Sequence, residues 1–216
     1  MLQHTLIVGT TGAGKSYTER LILDRLVADK LSTFVLVDPK RVELADYAEG
    51  MNKRSKCMAH AEDPSETYDA ITSVYTQMMM RFDAMKRGKV REWEYGPLYL
   101  FVDEMGAIMN DHRHRKMYAE MIGNITMMGR AARVFCVLAT QVPTRENIPN
   151  SIRDNMTNKV CLRLDNPSRA RYVFGPGFEF EQLPRVGKCY VQTPDILGAP
   201  KRVEVGDELM RVLDVQ

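Results

Sequence analysis

The 216-residue sequence predicts an α/β fold with a mostly parallel central sheet, flanking helices and short antiparallel edge strands near the C-terminus. Short apolar runs alternate with segments whose apolar residues recur at helical spacing, which is typical of βαβ units with parallel strands. A glycine-rich loop joins the first such run to the first helical segment. We expect residues 1–216 to form a single domain, because no linker, repeat or low-complexity tract divides them.

The predicted strands are short runs of residues that favour a buried sheet. TLIV, TFVLV, LYLFV and VFCVLA are apolar and rich in β-branched or aromatic side chains. The runs near the C-terminus are more polar, which is typical of edge strands. In chain order, the predicted strands cover residues 5–8, 33–37, 98–102, 134–139, 159–164, 188–192 and 202–205.

The predicted helices depend on apolar spacing and on helix-start signals. Residues 17–31 and 117–128 carry apolar side chains at three- and four-residue intervals. The longest helix, 64–88, begins at the tetrapeptide DPSE of residues 63–66. Its Asp can cap the helix, its Pro suits the first helical position, and its Glu can close a capping box. Residues 48–63, before this start, are polar and predict irregular structure.

Residues 9–16, GTTGAGKS, fit the phosphate-loop pattern G-x-x-x-x-G-K-[ST] between a strand and a helix. Glycines allow backbone conformations in which successive N–H groups point at phosphate oxygens, and the helix N-terminus adds its positive dipole end. We expect Lys15 to contact the β- and γ-phosphates of ATP and the Ser16 hydroxyl to bind Mg²⁺. The predicted nucleotide-binding residues are Gly9, Thr10, Thr11, Gly12, Ala13, Gly14, Lys15, Ser16 and Tyr17.

Polar residues follow two further strands of the predicted sheet. Asp103 and Glu104 come directly after LYLFV, and Gln141 follows VFCVLA and Thr140. The carboxyl ends of parallel strands line the ligand crevice. We therefore expect Asp103 to hold Mg²⁺, Glu104 to activate the attacking water, and Gln141 to contact the γ-phosphate or that water. An acidic pair here favours hydrolysis over phosphotransfer to a small molecule.

The composition is that of an ordinary globular protein. A net charge of +2 neither requires nor excludes nucleic acid, because a local basic surface can exist on a near-neutral chain. The four cysteines form no C-x-x-C pair, which argues against a zinc site or disulfide framework and fits a reducing cytoplasm. No apolar run approaches the roughly 20 residues that span a bilayer. The sequence thus predicts a cytoplasmic protein without a signal peptide or transmembrane segment of its own.

Several motifs, in order along nearly the whole chain, resemble the FtsK/SpoIIIE family of DNA translocases, within the HerA–FtsK group of P-loop ATPases. They are LIVGTTGAGKS at 6–16, VDPKRVEL at 37–44, LYLFVDEMGAIM at 98–109, GRAARVFCVLATQVPTRENIPNSIRDNM at 129–156, and the region 165–175. The resemblance implies a RecA-like motor that assembles as a homo-hexameric ring around double-stranded DNA. ATP hydrolysis at the subunit interfaces would move the DNA.

The resemblance also implies functional roles for particular residues of this chain. Its motif positions are matched by Lys15, Ser16, Asp103, Glu104 and Gln141, and also by Asp38 and Lys40, for which the sequence gives no chemical role. Arg169 is the first choice for an arginine that acts in trans on a neighbour's nucleotide, with Arg130 and Arg133 behind it. The family's channel-facing DNA contacts would correspond to Arg145, Asn147, Asn150 and Arg153.

The chain departs from the chromosome translocases of this family. Val142 stands where they commonly have Arg, and their membrane helices and winged-helix module do not occur in the sequence. The resemblance therefore favours a motor of a mobile element, conjugation system or phage, with membrane-anchored or relaxase partner proteins, or a domain of a longer protein. Two alternatives stay open: a P-loop phosphotransferase acting on a small molecule, and a non-hydrolytic nucleotide switch that recruits partners to DNA.

Overall fold

The computed structural model describes residues 1–29, 31–41, 44–52, 57–183 and 186–215. Val42 and Glu43 of the VDPKRVEL motif lie outside these residues. The strands are β1 Thr5–Val8, β2 Thr33–Val37, β3 Cys57–Ala61, β4 Leu98–Val102, β5 Val134–Thr140, β6 Asn158–Cys161, β7 Lys188–Gln192 and β8 Lys201–Glu204. The helices are α1 Lys15–Ala28, α2 Ala45–Asn52, α3 Pro64–Gly88, α4 Met105–Met109, α5 Arg115–Met128, α6 Asn150–Arg153, α7 Ala170–Phe174 and α8 Asp207–Val212.

The strands form one sheet in the order β3-β2-β4-β5-β1-β6-β7-β8. All pairs from β3 to β6 in this order are parallel, whereas β7 and β8 are antiparallel to their neighbours. This confirms the predicted α/β fold with antiparallel edge strands near the C-terminus. Since β1 lies between β5 and β6, the loop that leaves β1 is flanked by the loops that leave both of those strands.

Two apolar cores cover the two faces of the sheet, because alternate side chains of each strand point to opposite sides. In β1, Leu6 and Val8 join the core beneath α3 and α5, whereas Ile7 joins the core beneath α1 and α8. The stripe of α3 that was expected to face the sheet does so, with Ile71, Met78 and others buried. The helices therefore sandwich the sheet between two apolar layers.

The start of α3 forms as its sequence predicts. Asp63 accepts hydrogen bonds from the backbone N–H groups of Ser65 and Glu66, and the Glu66 carboxylate accepts one from the Asp63 N–H in return. This reciprocal capping box satisfies N–H groups that have no partner within the helix. At the other end, α3 reaches Gly88, where the sequence predicted that it would fade.

The expectation of irregular structure over residues 48–63 was wrong. Part of it continues α2, and CMAHA forms the edge strand β3, although it contains no β-branched residue. Pairing with β2 supplies the stabilisation that intrinsic propensity does not. Helix α1 also ends earlier than predicted: Asp29 is extended, and its carboxylate accepts from Leu31 N–H and Ser32 Oγ, forming a local turn that competes with continued helix.

The structure also contains elements that the sequence did not predict. The loop of residues 143–158 holds the short helix α6, and a 3₁₀ turn at Pro167–Arg169 leads into α7. Helix α8 follows the last strand and buries Leu209 and Met210. None of the helices in the described residues is long and apolar enough to cross a membrane.

Candidate nucleotide site

The phosphate loop is held between the carboxyl ends of β5 and β6. The Gly9 N–H donates to Thr140 O at 3.2 Å, and the Thr10 N–H donates to Arg163 O at 3.0 Å. Gly12 and Gly14 have φ angles of +75° and +92°, in the left-handed region that side chains rarely adopt. A Cβ at Gly9 would lie only 2.9 Å from Leu162 Cβ. Glycine is thus required at three points of the loop, for its conformation or for close packing.

The loop opens onto a cleft of about 610 Å³ at the carboxyl edge of the sheet. The cleft brings together most of the residues that the sequence predicted for nucleotide and metal, with Lys40 from the end of β2. Tyr17 is 54% exposed at the cleft, and Ser16 is half-buried. The lining residues are Thr10, Thr11, Gly12, Gly14, Lys15, Ser16, Tyr17, Arg20, Lys40, Asp103, Gln141 and Val186.

Lys15 is buried beneath the loop and bound by two acidic residues. Its Nζ donates to Glu19 Oε1 at 3.0 Å, to Asp103 Oδ1 at 2.6 Å and to the Asp103 carbonyl oxygen at 2.8 Å. Burial disfavours the ammonium form, but the combined attraction of the two carboxyl groups outweighs burial and raises the pKa of Lys15. Burial also raises the pKa of Glu19 well above its usual range, and the nearby Asp103 adds to the shift.

Asp103 fits the metal role that the sequence predicts. Its side chain is 1% exposed. Its Oδ2 is buried and receives no hydrogen bond from a fixed donor of the described residues. A buried carboxylate oxygen without a partner is costly unless a cation or water satisfies it. Ser16 lines the same cleft, so the two residues supply the oxygen ligands that Mg²⁺ prefers.

Glu104 lies in a cradle of donors at the start of α4. Its Oε1 accepts from the Thr140 hydroxyl at 2.7 Å and from the Gly106 N–H at 3.2 Å. Its Oε2 accepts from the Gln141 N–H and from Lys40 Nζ, each at 3.2 Å. With its side chain only 9% exposed, the carboxylate is fixed in one orientation beside the cleft.

Gln141 connects the acidic cradle to the phosphate loop. Its backbone N–H donates to Glu104, while its side-chain Oε1 accepts from the Thr11 hydroxyl at 3.1 Å. A movement of the phosphate loop on ligand binding would therefore be transmitted to Glu104 through one residue. This position suits the predicted contact of Gln141 with the γ-phosphate or the attacking water.

The candidate trans arginines lie at different edges of the sheet. Arg169 ends the 3₁₀ turn that follows β6, on the carboxyl edge that also carries the phosphate loop. Arg130 and Arg133 precede β5 and so lie at the opposite edge, where Arg133 Nη1 donates to Tyr95 O at 3.3 Å. The structure thus does not bring Arg130 and Arg133 to this subunit's own cleft.

The four candidate DNA-binding residues are unequally exposed. Arg145 is exposed. Asn147 Nδ2 donates to Val142 O at 2.9 Å, and Asn150 Oδ1 accepts from the Tyr172 hydroxyl at 3.2 Å. Arg153 pairs with Asp154 at 2.6 Å and lies 4.5 Å above the ring of Tyr172. Arg145 is therefore the most accessible of the four to a phosphate backbone.

Sequence reasoning missed three features of this site. Glu19 escaped notice, although a carboxylate four residues after Lys15 shares its helix face, which was a usable signal. Lys40 had no assigned role, and the structure shows that it pairs with Glu104 from a distant part of the chain. Asp38 is fully buried directly after β2 and accepts from the N–H of Leu44, the residue before α2, at 2.9 Å.

Comparison with known proteins places this site in a defined family. The FtsK/SpoIIIE family model matches residues 1–174. The chain is 27% identical to a DNA translocase FtsK of Chlorobaculum tepidum, over 94% of this chain and 27% of that protein. It is 29% identical to the Ftsk domain-containing protein YdcQ of Bacillus subtilis, over 81% of this chain and 37% of that protein. The chain spans between a quarter and two-fifths of the length of these relatives.

Solved structures with low sequence identity share the fold. The conjugation coupling protein TcpA of pCW3 superposes with a TM-score of 0.74 at 15% identity, over 94% of this chain and 59% of that chain. The cytoplasmic domain of the type VII secretion ATPase EccC of Thermomonospora curvata superposes with a TM-score of 0.70 at 21% identity, over 93% of this chain and 25% of that chain. The genome packaging NTPase B204 of Sulfolobus turreted icosahedral virus 2 superposes with a TM-score of 0.59 at 12% identity, over 94% of this chain and 96% of that chain. These likenesses establish a P-loop ATPase fold.

Proposed function

The chain belongs to the FtsK/SpoIIIE family, and on this premise we propose that residues 1–216 form the ATP-hydrolysing motor domain of a double-stranded DNA translocase. The main support is one observation: the phosphate loop, Asp103 and Gln141 line a single cleft at the carboxyl edge of the sheet, and Glu104 is held beside it by hydrogen bonds from the lining residues Lys40 and Gln141. A nucleotide-binding protein without hydrolysis would not need a carboxylate held beside that cleft.

Nucleotide binding uses the loop and the residues beneath it. The left-handed glycines direct backbone N–H groups toward phosphate oxygens, and the N-terminus of α1 adds favourable dipole charge. Lys15 would leave at least one of its present partners to reach the β- and γ-phosphates. Ser16 and Asp103 would hold Mg²⁺, which when bound neutralises negative charge on the phosphate oxygens.

Hydrolysis would depend on the orientation of Glu104. The Thr140 hydroxyl and the Gly106 N–H donate to Oε1, and the Gln141 N–H and Lys40 donate to Oε2, so the carboxylate would accept a proton from water while sharing its oxygens with these donors. Gln141 would sense whether the γ-phosphate is present, because its side chain contacts the phosphate loop and its backbone contacts Glu104.

DNA movement requires contacts that the isolated subunit does not complete. We propose a homo-hexameric ring in which Arg169 reaches a neighbour's γ-phosphate. Arg145, Asn147, Asn150 and Arg153 would face the DNA. Such contacts to phosphates would weaken with salt and be indifferent to DNA sequence.

The decisive test measures ATP hydrolysis with and without double-stranded DNA. We expect DNA to stimulate turnover, and we expect Glu104→Gln to retain ATP binding while losing turnover by at least about 100-fold. Turnover that ignores DNA, together with phosphorylation of a small acceptor, would contradict the motor and favour a phosphotransferase. A Glu104→Gln variant that behaves like the wild type would instead favour a non-hydrolytic switch.

Assembly and context require separate experiments. We propose that the motor acts in a mobile element, conjugation system or phage, in the cytoplasm, with membrane-anchored or relaxase partner proteins. Light scattering with ATP and DNA should show growth from monomer to a ring, and Arg169→Ala should assemble but hydrolyse slowly. A protein that stays monomeric under every nucleotide and DNA condition would contradict the ring.

A further inference from the structure

Glu19 occupies a position beneath the phosphate loop that the proposed hydrolysis does not use. It lies one helical turn after Lys15 in α1 and is only 2% exposed. A buried carboxyl group is costly unless it is paired and hydrogen-bonded. Its carboxyl group makes a 3.0 Å hydrogen bond and ion pair with Lys15 Nζ and also interacts with the side chain of Asp103. This cost indicates that Glu19 has a purpose connected with Lys15.

The contacts of Lys15 account for its whole donor capacity. A lysine ammonium group carries three N–H donors and no acceptor. Glu19 Oε1, Asp103 Oδ1 and the Asp103 carbonyl oxygen supply three acceptors within 3.0 Å. No donor of Lys15 is left over for a phosphate oxygen in this arrangement. A nucleotide must therefore displace at least one of these partners before Lys15 can bind its phosphates.

Glu19 is the partner of Lys15 that can be changed without removing the predicted metal ligand, Asp103. Asp103 supplies two of the three acceptors and also fits the predicted metal position. Glu19, in contrast, does not line the cleft, so it would influence the nucleotide through the buried groups that it contacts, Lys15 first and Asp103 beside it. It is thus a positioning residue for Lys15.

We propose that Glu19 is a latch that holds Lys15 in a retracted position and so limits nucleotide affinity. The inference rests on the proposed ATP site but not on DNA translocation. If the latched form is populated about 90% of the time, the apparent affinity is reduced about tenfold, because only the released form binds phosphates well. By the same argument, the latch would favour release of the product nucleotide once the γ-phosphate has gone.

The test compares two substitutions of Glu19 by calorimetric titration with ATPγS. Glu19→Gln replaces the carboxyl group by an amide at nearly constant volume, and Glu19→Asp keeps the carboxyl group but withdraws it by one methylene. A latch predicts that both variants bind ATPγS about five- to tenfold more tightly than the wild type. Simple repulsion between a buried carboxylate and the phosphates predicts tighter binding only for Glu19→Gln. That outcome would overturn the latch.

Controls separate the possible failures. Glu120→Gln makes the same chemical change on the exposed face of α5 and should leave the affinity unchanged. Thermal unfolding shows whether each variant is folded, and Glu19→Asp keeps the test decisive if Glu19→Gln does not fold. Unchanged or weaker binding by folded variants would overturn the latch alone. Failure of the wild type to bind ATPγS would overturn the proposed function instead.

Discussion

The hydroxyl of Thr140 offers a direct test of how the Glu104 carboxylate is positioned. Thr140 is fully buried at the end of β5, and its Oγ1 donates to Glu104 Oε1 at 2.7 Å. Thr140→Val replaces the hydroxyl by a methyl group of similar size and removes this donor. A hydrogen bond to a charged group contributes about 1.5–3 kcal/mol. The Gly106 and Gln141 N–H groups and Lys40 remain, so we expect the lower end of that range.

A loss of about 1.5 kcal/mol in the transition state lowers kcat about tenfold. The assay is DNA-stimulated ATP hydrolysis at saturating ATP, with ATPγS affinity measured in parallel. We expect kcat to fall and the affinity to stay within about twofold, because Thr140 does not line the cleft. Thr140→Ser keeps the hydroxyl and should retain most of the activity. If Thr140→Val is folded and hydrolyses ATP at the wild-type rate, the cradle does not orient Glu104 for catalysis.

Three further predictions concern stability and DNA binding. Burial lowers the pKa of His4 to about 4. Between about pH 6.5 and pH 4, His4 is therefore protonated in the unfolded chain but neutral in the folded chain. The free energy of unfolding should therefore decrease as the pH is lowered through this window, with a loss of about 2 kcal/mol at pH 5 relative to neutral pH. His4→Asn removes the titrating group but keeps an acceptor for the Cys136 N–H. Urea denaturation of this variant should show a smaller loss of stability between pH 7 and pH 5 than the wild type, and an equal loss would contradict the role of His4. Asp63→Ala should lower the free energy of unfolding by about 1 kcal/mol, through loss of the capping box, whereas Asp63→Asn should cost less. Arg145→Ala should weaken DNA binding and reduce the slope of log affinity against log salt concentration by about one, the value of one phosphate contact, while basal ATP hydrolysis stays unchanged. An unaltered salt slope would contradict a phosphate contact by Arg145.

The features encoded by short runs of sequence could be predicted. The apolar strands at the sheet centre, the phosphate loop and the start of α3 each depend on neighbouring residues, and the structure has them where the sequence indicated. The edge strand β3 could not be predicted, because CMAHA lacks strand-forming side chains and depends on its partner β2. Short helices such as α7 were missed because a single turn shows no periodicity.

The site was predictable only in its separate parts. The carboxylates after β4 and the polar residue after β5 could be identified as site candidates because they directly follow apolar strand runs. Their mutual contacts depend on the order of strands in the sheet, which brings Lys40 to Glu104 and Gln141 to Thr11. Spacing along the chain carries no information on such pairs. The retracted position of Lys15 likewise depends on burial, which the sequence does not reveal.

The place of β1 between β5 and β6 has a consequence for how the protein is made. Both neighbours of β1 come from residues 134–161, far downstream in the chain. During synthesis, the strand that bears the phosphate loop therefore stays unpaired until β5 has left the ribosome, and it gains its second neighbour only after the chain through Cys161 has emerged. Long-range parallel pairing of this kind folds slowly and leaves apolar edges open. The nucleotide pocket would thus be completed late in translation, and a nascent chain truncated before β6 should not retain nucleotide.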